Sequence, residues 1–283
     1  MNGAKDISEG LFKGNRKAWI CLGLALTLVS AMVGAPAWAQ NEKRSVFTET
    51  EFHWQGNLKA GQTLEVINTN GDIEASAAAG DAAQAEGTKR DGDESELFIE
   101  VVEYSDGVTI CAVYAKDKTP GRCHRGGVSS ESSHWHWHHA KINFGVKVPR
   151  GVRLTAMTTN GAVRGHDLSS VVKAATTNGN VEVSTSEWAS ATTTNGGVRV
   201  AMGRAKWDGE LRLTSTNGSV HVTLPASAEF SLNAATTNGG IHTDFPVTVQ
   251  GTVTSKDLSG TVGAGGRELH VATTNGGIEL KKS

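Results

Sequence analysis

Apolar and polar residues alternate in short blocks along most of this chain, and most blocks are centred on the same tripeptide, Thr-Asn-Gly. The tripeptide occurs seven times, and its asparagines are Asn70, Asn160, Asn178, Asn195, Asn217, Asn238 and Asn275. Between Asn160 and Asn238 it recurs every 17 to 22 residues. Such a period is typical of repeat folds, in which each unit packs on the next.

Aligning the repeats on the asparagine, as position zero, shows which residues share a face. Positions −6 and −4 are apolar in all seven repeats, position −2 is small and mostly hydroxylic, position +3 is Val or Ile, and position +4 is polar or charged. Because a strand alternates its side chains between two faces, each repeat predicts two strands joined by a tight turn. We expect Gly at +1 to adopt a positive φ, and Asn to tolerate the left-handed region.

Two all-β folds are compatible with this pattern. In a parallel β-solenoid with right-handed coils, the turns stack and Asn lies on Asn. In the alternative fold of antiparallel β-hairpin repeats, Asn-Gly closes each hairpin. The near-identity of the repeats at equal offsets, and the variable length between them, favour the solenoid. We also expect Asp257–Val262 to form a degenerate coil with Ser259 at the Asn position, and Gln40–Gln62 to cap the first coil.

The N-terminus has the features of a secretory signal peptide over residues 1–39. Basic residues precede an apolar run, Ala18–Ala35, and Ala37-Trp38-Ala39 supplies a cleavage site before Gln40. An uncleaved membrane anchor is the alternative. Residues 40–283 then predict one β-solenoid domain, with no stable membrane insertion after cleavage.

Charge and cysteine content narrow the possible partners and the compartment. The formal charge is −2, and without a concentrated basic patch we do not predict nucleic acid as a partner. Removal of the signal peptide leaves Cys111 and Cys123. An even number of cysteines in an exported protein favours a disulfide, with free or metal-binding thiols as the alternative.

Residues 75–150 diverge from the repeat pattern and hold both cysteines and a His/Trp cluster. In an extended conformation His134, His136 and His138 would share one face, where imidazoles could ligate Zn²⁺, Cu²⁺ or Ni²⁺. Residues on the same face of a strand are about 7 Å apart, so one ion would need a bent strand or a further ligand. A solvated aromatic loop without a metal site is the alternative.

The remaining candidate chemistry is weak. Position +4 carries Glu74, Arg164, Glu182, Arg199, His221, His242 and Glu279, in sequence order. These mixed signs predict a neutralised surface ladder and not the paired carboxylates of a glycoside hydrolase. Trp188 and Trp207 lie between repeats, where they either stack on sugar rings or pack against the solenoid. We predict no catalytic residue and no cofactor.

The Thr-Asn-Gly-Gly-(Val/Ile) turns, the signal peptide and the terminal block Glu268–Leu280 resemble the bacterial putative adhesin family. That family is a domain of unknown function, and the resemblance implies a β-solenoid over most of residues 40–283, most clearly Val152–Leu280. It implies no catalytic residues.

These observations predict a non-enzymatic, exported envelope protein, an adhesin-like module for interaction or scaffolding whose partner is an envelope protein or a glycan. A carbohydrate-active β-helix enzyme and a His-rich metal-binding envelope protein are the alternatives. We expect retention in the periplasm, with the cell surface and the extracellular medium as the other possible locations.

Overall fold

The repeats fold into pairs of short strands. The structure is a computed structural model that describes residues 42–92, 96–116, 119–129, 140–249 and 254–283. In chain order the strands are β1 (Lys43–Phe47), β2 (Glu51–Asn57), β3 (Thr63–Ile67), β4 (Ile73–Ala77), β5 (Ala82–Arg90), β6 (Leu97–Tyr104), β7 (Gly107–Lys116), β8 (Thr119–Pro120), β9 (Arg122–His124), β10 (Gly127–Ser129), β11 (Lys141–Val148), β12 (Arg153–Asn160), β13 (Val163–Leu168), β14 (Val172–Asn178), β15 (Val181–Thr185), β16 (Ala189–Asn195), β17 (Val198–Met202), β18 (Leu211–Asn217), β19 (Val220–Leu224), β20 (Phe230–Asn238), β21 (Ile241–Thr243), β22 (Val247–Thr248), β23 (Asp257–Val262), β24 (Glu268–Asn275) and β25 (Ile278–Lys282).

The strands on either side of the turns form two long sheets. In sheet A the strands that precede the turns pair in the order β3-β12-β14-β16-β18-β24-β20, and in sheet B the strands that follow them pair in the order β4-β13-β15-β17-β19-β25-β21. All these neighbours are parallel and in register, with Asn178 opposite both Asn160 and Asn195. The predicted parallel β-solenoid is confirmed and the hairpin alternative is wrong, whereas the hand of the coils stays a prediction.

The core lies between the two sheets, where positions −6 and −4 of sheet A face position +3 of sheet B. Equivalent side chains of successive coils stack in rows, such as Leu154, Val172 and Ala189, and all three are buried. Each coil therefore covers the apolar side chains of its neighbours. This burial stabilises the fold by about 25 cal/mol for each Å² of apolar surface removed from water. The free energy of folding thus depends on coil-to-coil contact.

The hydroxyl groups at position −2 point into this core and bond to the neighbouring coil. Thr176 Oγ1 donates to the Gly161 carbonyl at 2.8 Å, and Thr193 Oγ1 to the Gly179 carbonyl at 2.8 Å. The same bond recurs at Thr158, Ser215, Thr236 and Thr273. A small hydroxylic residue suits this position because it satisfies a buried turn carbonyl without enlarging the coil. In the first repeat the amide of Asn68 takes this place and donates to the Gly71 carbonyl at 3.1 Å.

The turn glycines are required for close stacking, which corrects the explanation based on φ. No turn asparagine has a positive φ, and among the seven turn glycines only Gly71, at 120°, lies well inside the positive region. A Cβ on Gly179 would lie 2.0 Å from the carbonyl oxygen of Gly161 in the next coil. The corresponding distances at Gly161, Gly196, Gly218, Gly239 and Gly276 are 1.9 to 2.3 Å. Only glycine therefore lets the turns approach this closely.

The spatial order of the coils differs from their order in the sequence. The last repeat, β24 and β25, lies between the repeat of β18 and β19 and the repeat of β20 and β21. Asn275 is consequently in register with both Asn217 and Asn238. The C-terminal repeat is thus an internal coil of the solenoid.

The predicted degenerate coil at Asp257–Val262 is wrong. This segment is the single strand β23, which pairs antiparallel with β20, and Ser259 lies opposite Asn233 and outside any turn. The glycines after it, Gly263 and Gly265, have φ of 60° and 80°, so the chain reverses there and enters β24 instead of completing a coil. β23 therefore covers the outer edge of β20 in sheet A.

Residues 75–150 contribute a further coil at the other end. β7 pairs parallel with β3, and β11 pairs parallel with β4, although no Thr-Asn-Gly turn joins them. Beyond them β6 and β5, then β1 and β2, pair antiparallel. The expected cap of Gln40–Gln62 on the first repeat is therefore displaced outward by two strands in each sheet, and Phe52 packs edge-on against Phe144 of β11.

Residues Asn41–Ser283 form one compact unit. The predicted signal peptide, residues 1–39, lies outside the described residues. Within the described ranges, no helix is long and apolar enough to cross a membrane.

Gly179→Ala should lower the free energy of unfolding by about 2–3 kcal/mol, because its Cβ would overlap the Gly161 carbonyl and force the coils apart. Gly240→Ala is the matched control, since no atom lies within 4 Å of a Cβ built there. Urea unfolding of both variants measures the difference. Equal effects of the two substitutions would contradict the close-stacking explanation.

Candidate interaction surface

The turn asparagines form a continuous hydrogen-bonded ladder along one edge of the solenoid. In six of the seven, Nδ2 donates to the Oδ1 of the asparagine in the adjacent coil, at 2.7 to 2.9 Å. Asn70, at the end of the ladder, donates instead to the Ala140 carbonyl at 3.5 Å. In spatial order the ladder runs through Asn70, Asn160, Asn178, Asn195, Asn217, Asn275 and Asn238. Because these side-chain amides bond to one another, they hold the ends of the sheet A strands in register. The ladder thus fixes one edge of the outer face of sheet A.

The outer face of sheet A carries mainly small side chains from β14 to β20, with a few larger charged or imidazole groups among them. We call this surface the open face. Its outward residues are Lys173, Ala175, Thr177, Ser190, Thr192, Thr194, Arg212, Thr214, Thr216, Glu268, His270, Ala272, Thr274, Ser231, Asn233, Ala235 and Thr237. Position −1 is threonine in all seven repeats. Among the described strands, none packs over this face.

A disulfide-linked hairpin covers the same side of sheet A at its N-terminal end. β9 and β10 form this hairpin, and Cys123 in β9 is bonded to Cys111 in β7. A second apolar cluster, separate from the main core, contains Ile67, Val102, Cys111, Val113 and Cys123, with Tyr104, Val128 and Met157 at its margin. The predicted disulfide is therefore present, and it attaches the hairpin to the sheet.

Two buried carboxylates also hold the hairpin. Glu100 accepts the backbone N–H of Cys123 at 2.7 Å and pairs with Arg44 at 2.8 Å. Glu65 accepts the N–H of Gly126 at 3.2 Å. Hydrogen bonds to a charged group are stronger than neutral ones, and loss of a partner would leave a buried charge unsatisfied. Sequence reasoning missed both, because they occupy outward positions where a solvated charge is the ordinary expectation.

Arg125 fixes the tip of the hairpin. Its guanidinium pairs with Asp106 and lies 4.2 Å from the centre of the Tyr104 ring. The hydrogen bond from Arg125 lowers the pKa of Asp106. The fixed hairpin thus covers sheet A over β6 and β7 and contacts β3 and β12 at its margin, whereas the face from β14 to β20 is open.

On the outer face of sheet B, each acidic residue at position +4 lies beside an arginine or a histidine of an adjacent coil. The spatial order is Glu74, Arg164, Glu182, Arg199, His221, Glu279 and His242. His221 Nδ1 lies 2.8 Å from Glu279 Oε2, and Arg199 lies 4.0 Å from Glu182. Hydrogen bonds from Lys281 and from His221 lower the pKa of Glu279. The expected mixed-sign ladder is present, and the inserted last coil places Glu279 between the two histidines.

A cleft of about 850 Å³ lies between the inter-repeat loops near the C-terminal end. Arg204, Lys206 and Glu229 line it, together with Trp207. Trp207 is 2% exposed, and its indole N–H donates to the Glu268 carbonyl at 3.0 Å. Trp207 therefore packs against the solenoid, and Trp188 is half-buried against the same core.

The predicted metal ligands His134, His136 and His138 lie outside the described residues. Their segment connects β10, which ends at Ser129, with β11, which begins at Lys141. Metal binding there stays a prediction.

The comparisons with known proteins concern the repeat region. A family model described as Toastrack DUF4097 matches residues 126–281. The fold is similar to a putative cell adhesion protein from Clostridium sporogenes ATCC 15579, with 10% identity and a TM-score of 0.42, over 82% of this chain and 100% of that one. It is also similar to a putative adhesin from Bacteroides fragilis NCTC 9343, with 10% identity and a TM-score of 0.33, over 82% and 97% of the two chains. No curated protein matches the sequence.

Replacing both Cys111 and Cys123 by alanine should release the hairpin while the coils stay folded. Loss of a disulfide that closes so short a loop costs about 3 kcal/mol, and the carboxylate bonds alone would not hold the hairpin closed. Hydrogen exchange of the amides of residues 122–129 should therefore accelerate, with little change in the amides of β16. Unchanged protection of the hairpin would show that the disulfide does not attach it.

Proposed function

We propose that the chain, which belongs to the Toastrack DUF4097 family, is a non-enzymatic, exported envelope protein that binds an envelope protein or glycan through its open face. Family membership agrees with the resemblance to adhesins of unknown function. The proposal therefore depends on the surface itself.

The observation that carries it is the combination of the open face with the ladder beside it. Position −1 threonines such as Thr194 and Thr216 are exposed, and they follow buried residues whose register is fixed by the ladder. Threonine has a restricted χ1, so little side-chain freedom remains to be lost when another surface covers it. A pre-ordered surface that continues across several coils suits contact with an extended partner.

The charged groups support a binding role more than a catalytic one. Arg164 pairs with Asp72 at 2.7 Å, and Arg204 pairs with Glu187 at 2.9 Å. His221 and Glu279 are paired likewise. Groups that neutralise one another across coils stabilise an extended surface, whereas a general acid and base must be free to exchange protons with a substrate.

The disulfide supports export. A buried disulfide forms and persists in an oxidising compartment, in agreement with the predicted cleavage after Ala39. We place the mature protein, residues 40–283, in the periplasm, with the cell surface and the medium as the other locations that this argument allows.

The test is retention of material from envelope extracts by immobilised mature protein. Thr194→Arg combined with Thr216→Arg puts two long charged side chains on adjacent coils of the open face, in the row beside the ladder, and should reduce retention at least about tenfold. Ala201→Arg combined with Thr223→Arg, adjacent positions on the outer face of sheet B, is the matched control and should leave retention unchanged. Retained protein and sugar are both measured.

Equal retention by both double variants would contradict binding through the open face. Loss of retention only when residues 134–139 are deleted would assign binding to the His/Trp cluster instead. Release of reducing ends from purified cell-wall glycans would favour the carbohydrate-active alternative.

A further inference from the structure

Insertion of the last coil brings Glu210 close to Glu268 and His270, which are about 60 residues away in the sequence. β24 pairs with β18, so that His270 lies in register with Arg212, and Glu268 is on the same side of β24 as His270. Glu210 immediately precedes β18. One ligand atom each of Glu210, Glu268 and His270 lies within 4.8 Å of the others.

These side chains differ in how they are held. Glu210 pairs with Arg212 at 2.7 Å. Among the described residues, neither the Glu268 carboxylate nor the His270 ring has a hydrogen-bond or ion-pair partner. The backbone at Glu268 is fixed, because its carbonyl accepts the Trp207 indole N–H at 3.0 Å. Two of the three groups are therefore available on a rigid strand.

We propose that Glu210, Glu268 and His270 bind a divalent transition-metal ion of the zinc class. One imidazole and two carboxylates are ligands that Zn²⁺ accepts, at about 2.0–2.2 Å from the metal. Ligand atoms around a tetrahedral ion at that distance are about 3.4 Å apart. Rotation of the two exposed glutamate side chains brings the ligand atoms from within 4.8 Å to this separation. The fourth coordination position of the metal stays open to water or to a group on a partner.

Arg212 opposes this site. Its guanidinium occupies the Glu210 carboxylate and places a positive charge beside the incoming cation. Removing that charge should therefore strengthen metal binding, because like charges repel and Glu210 becomes free to coordinate. A gain of affinity is an outcome that a fold defect does not produce.

The experiment is calorimetric titration of the mature protein with Zn²⁺ alone. His134, His136, His138 and His139 are first replaced by alanine, so that the other candidate site does not contribute. We expect one equivalent of bound Zn²⁺, at least about tenfold weaker binding in His270→Ala and in Glu268→Gln, and tighter binding in Arg212→Gln. Urea unfolding checks that each variant is folded, and Glu210→Gln replaces His270→Ala if that variant is not.

A second readout locates the ion. Cu²⁺ quenches the fluorescence of nearby indoles. In the mature protein with the four histidines replaced, it should quench a larger fraction of the fluorescence than in the same protein carrying Trp207→Phe, because the Trp207 indole contacts the Glu268 backbone. Absence of Zn²⁺ binding, affinity unchanged in His270→Ala and Glu268→Gln, or weaker binding in Arg212→Gln would each overturn the proposal. Its failure leaves the open-face proposal standing, since that test contains no added metal.

Discussion

The close approach of one turn to the next is the constraint on which the rest of the structure depends. The Cα of Gly179 lies so near the Gly161 carbonyl that no side chain fits between them. At this separation Thr176 reaches the Gly161 carbonyl and Asn178 reaches Asn160, each at 2.8 Å. A wider turn would break both bonds together. The Asn and Gly of the tripeptide, and the hydroxylic residue just before it, therefore act mainly on the neighbouring coil, whereas the tripeptide's own threonine, at position −1, is exposed on the open face.

Stacking of like on like also explains why a C-terminal repeat can become an internal coil. Every coil presents the same apolar positions and the same turn groups, so β24 and β25 are as complementary to β18 and β19 as the next repeat in sequence would be. The insertion places the Glu279 carboxylate between the imidazoles of His221 and His242, so that the two rings do not occupy adjacent coils. The insertion also pairs β18 with β24, which brings Glu210 close to Glu268 and His270.

Strand positions, the core faces and the parallel stacking could be predicted, because they follow from period-two alternation and from near-identical repeats. The order of the coils could not, because interchangeable repeats carry no local signal for their neighbours. Glu65 and Glu100 were missed for a related reason: their burial depends on a hairpin more than 20 residues away in sequence from either. The role of glycine was misassigned because close approach and positive φ select the same residue. Residues 134–139 remain a sequence-based hypothesis.

The inserted coil is tested most directly by pairs of engineered cysteines on the position −1 row. Thr216→Cys with Thr274→Cys joins adjacent coils, whose Cα atoms lie about 4.8 Å apart, within reach of a disulfide. Thr216→Cys and Thr237→Cys lie on either side of the inserted coil. By the same spacing their Cα atoms are about 9.6 Å apart, too far for a disulfide. We predict a disulfide, measured by the mass of peptides from the non-reduced protein, in the first pair only. Its formation in the second pair and not in the first would show that the coils follow sequence order and would contradict this account.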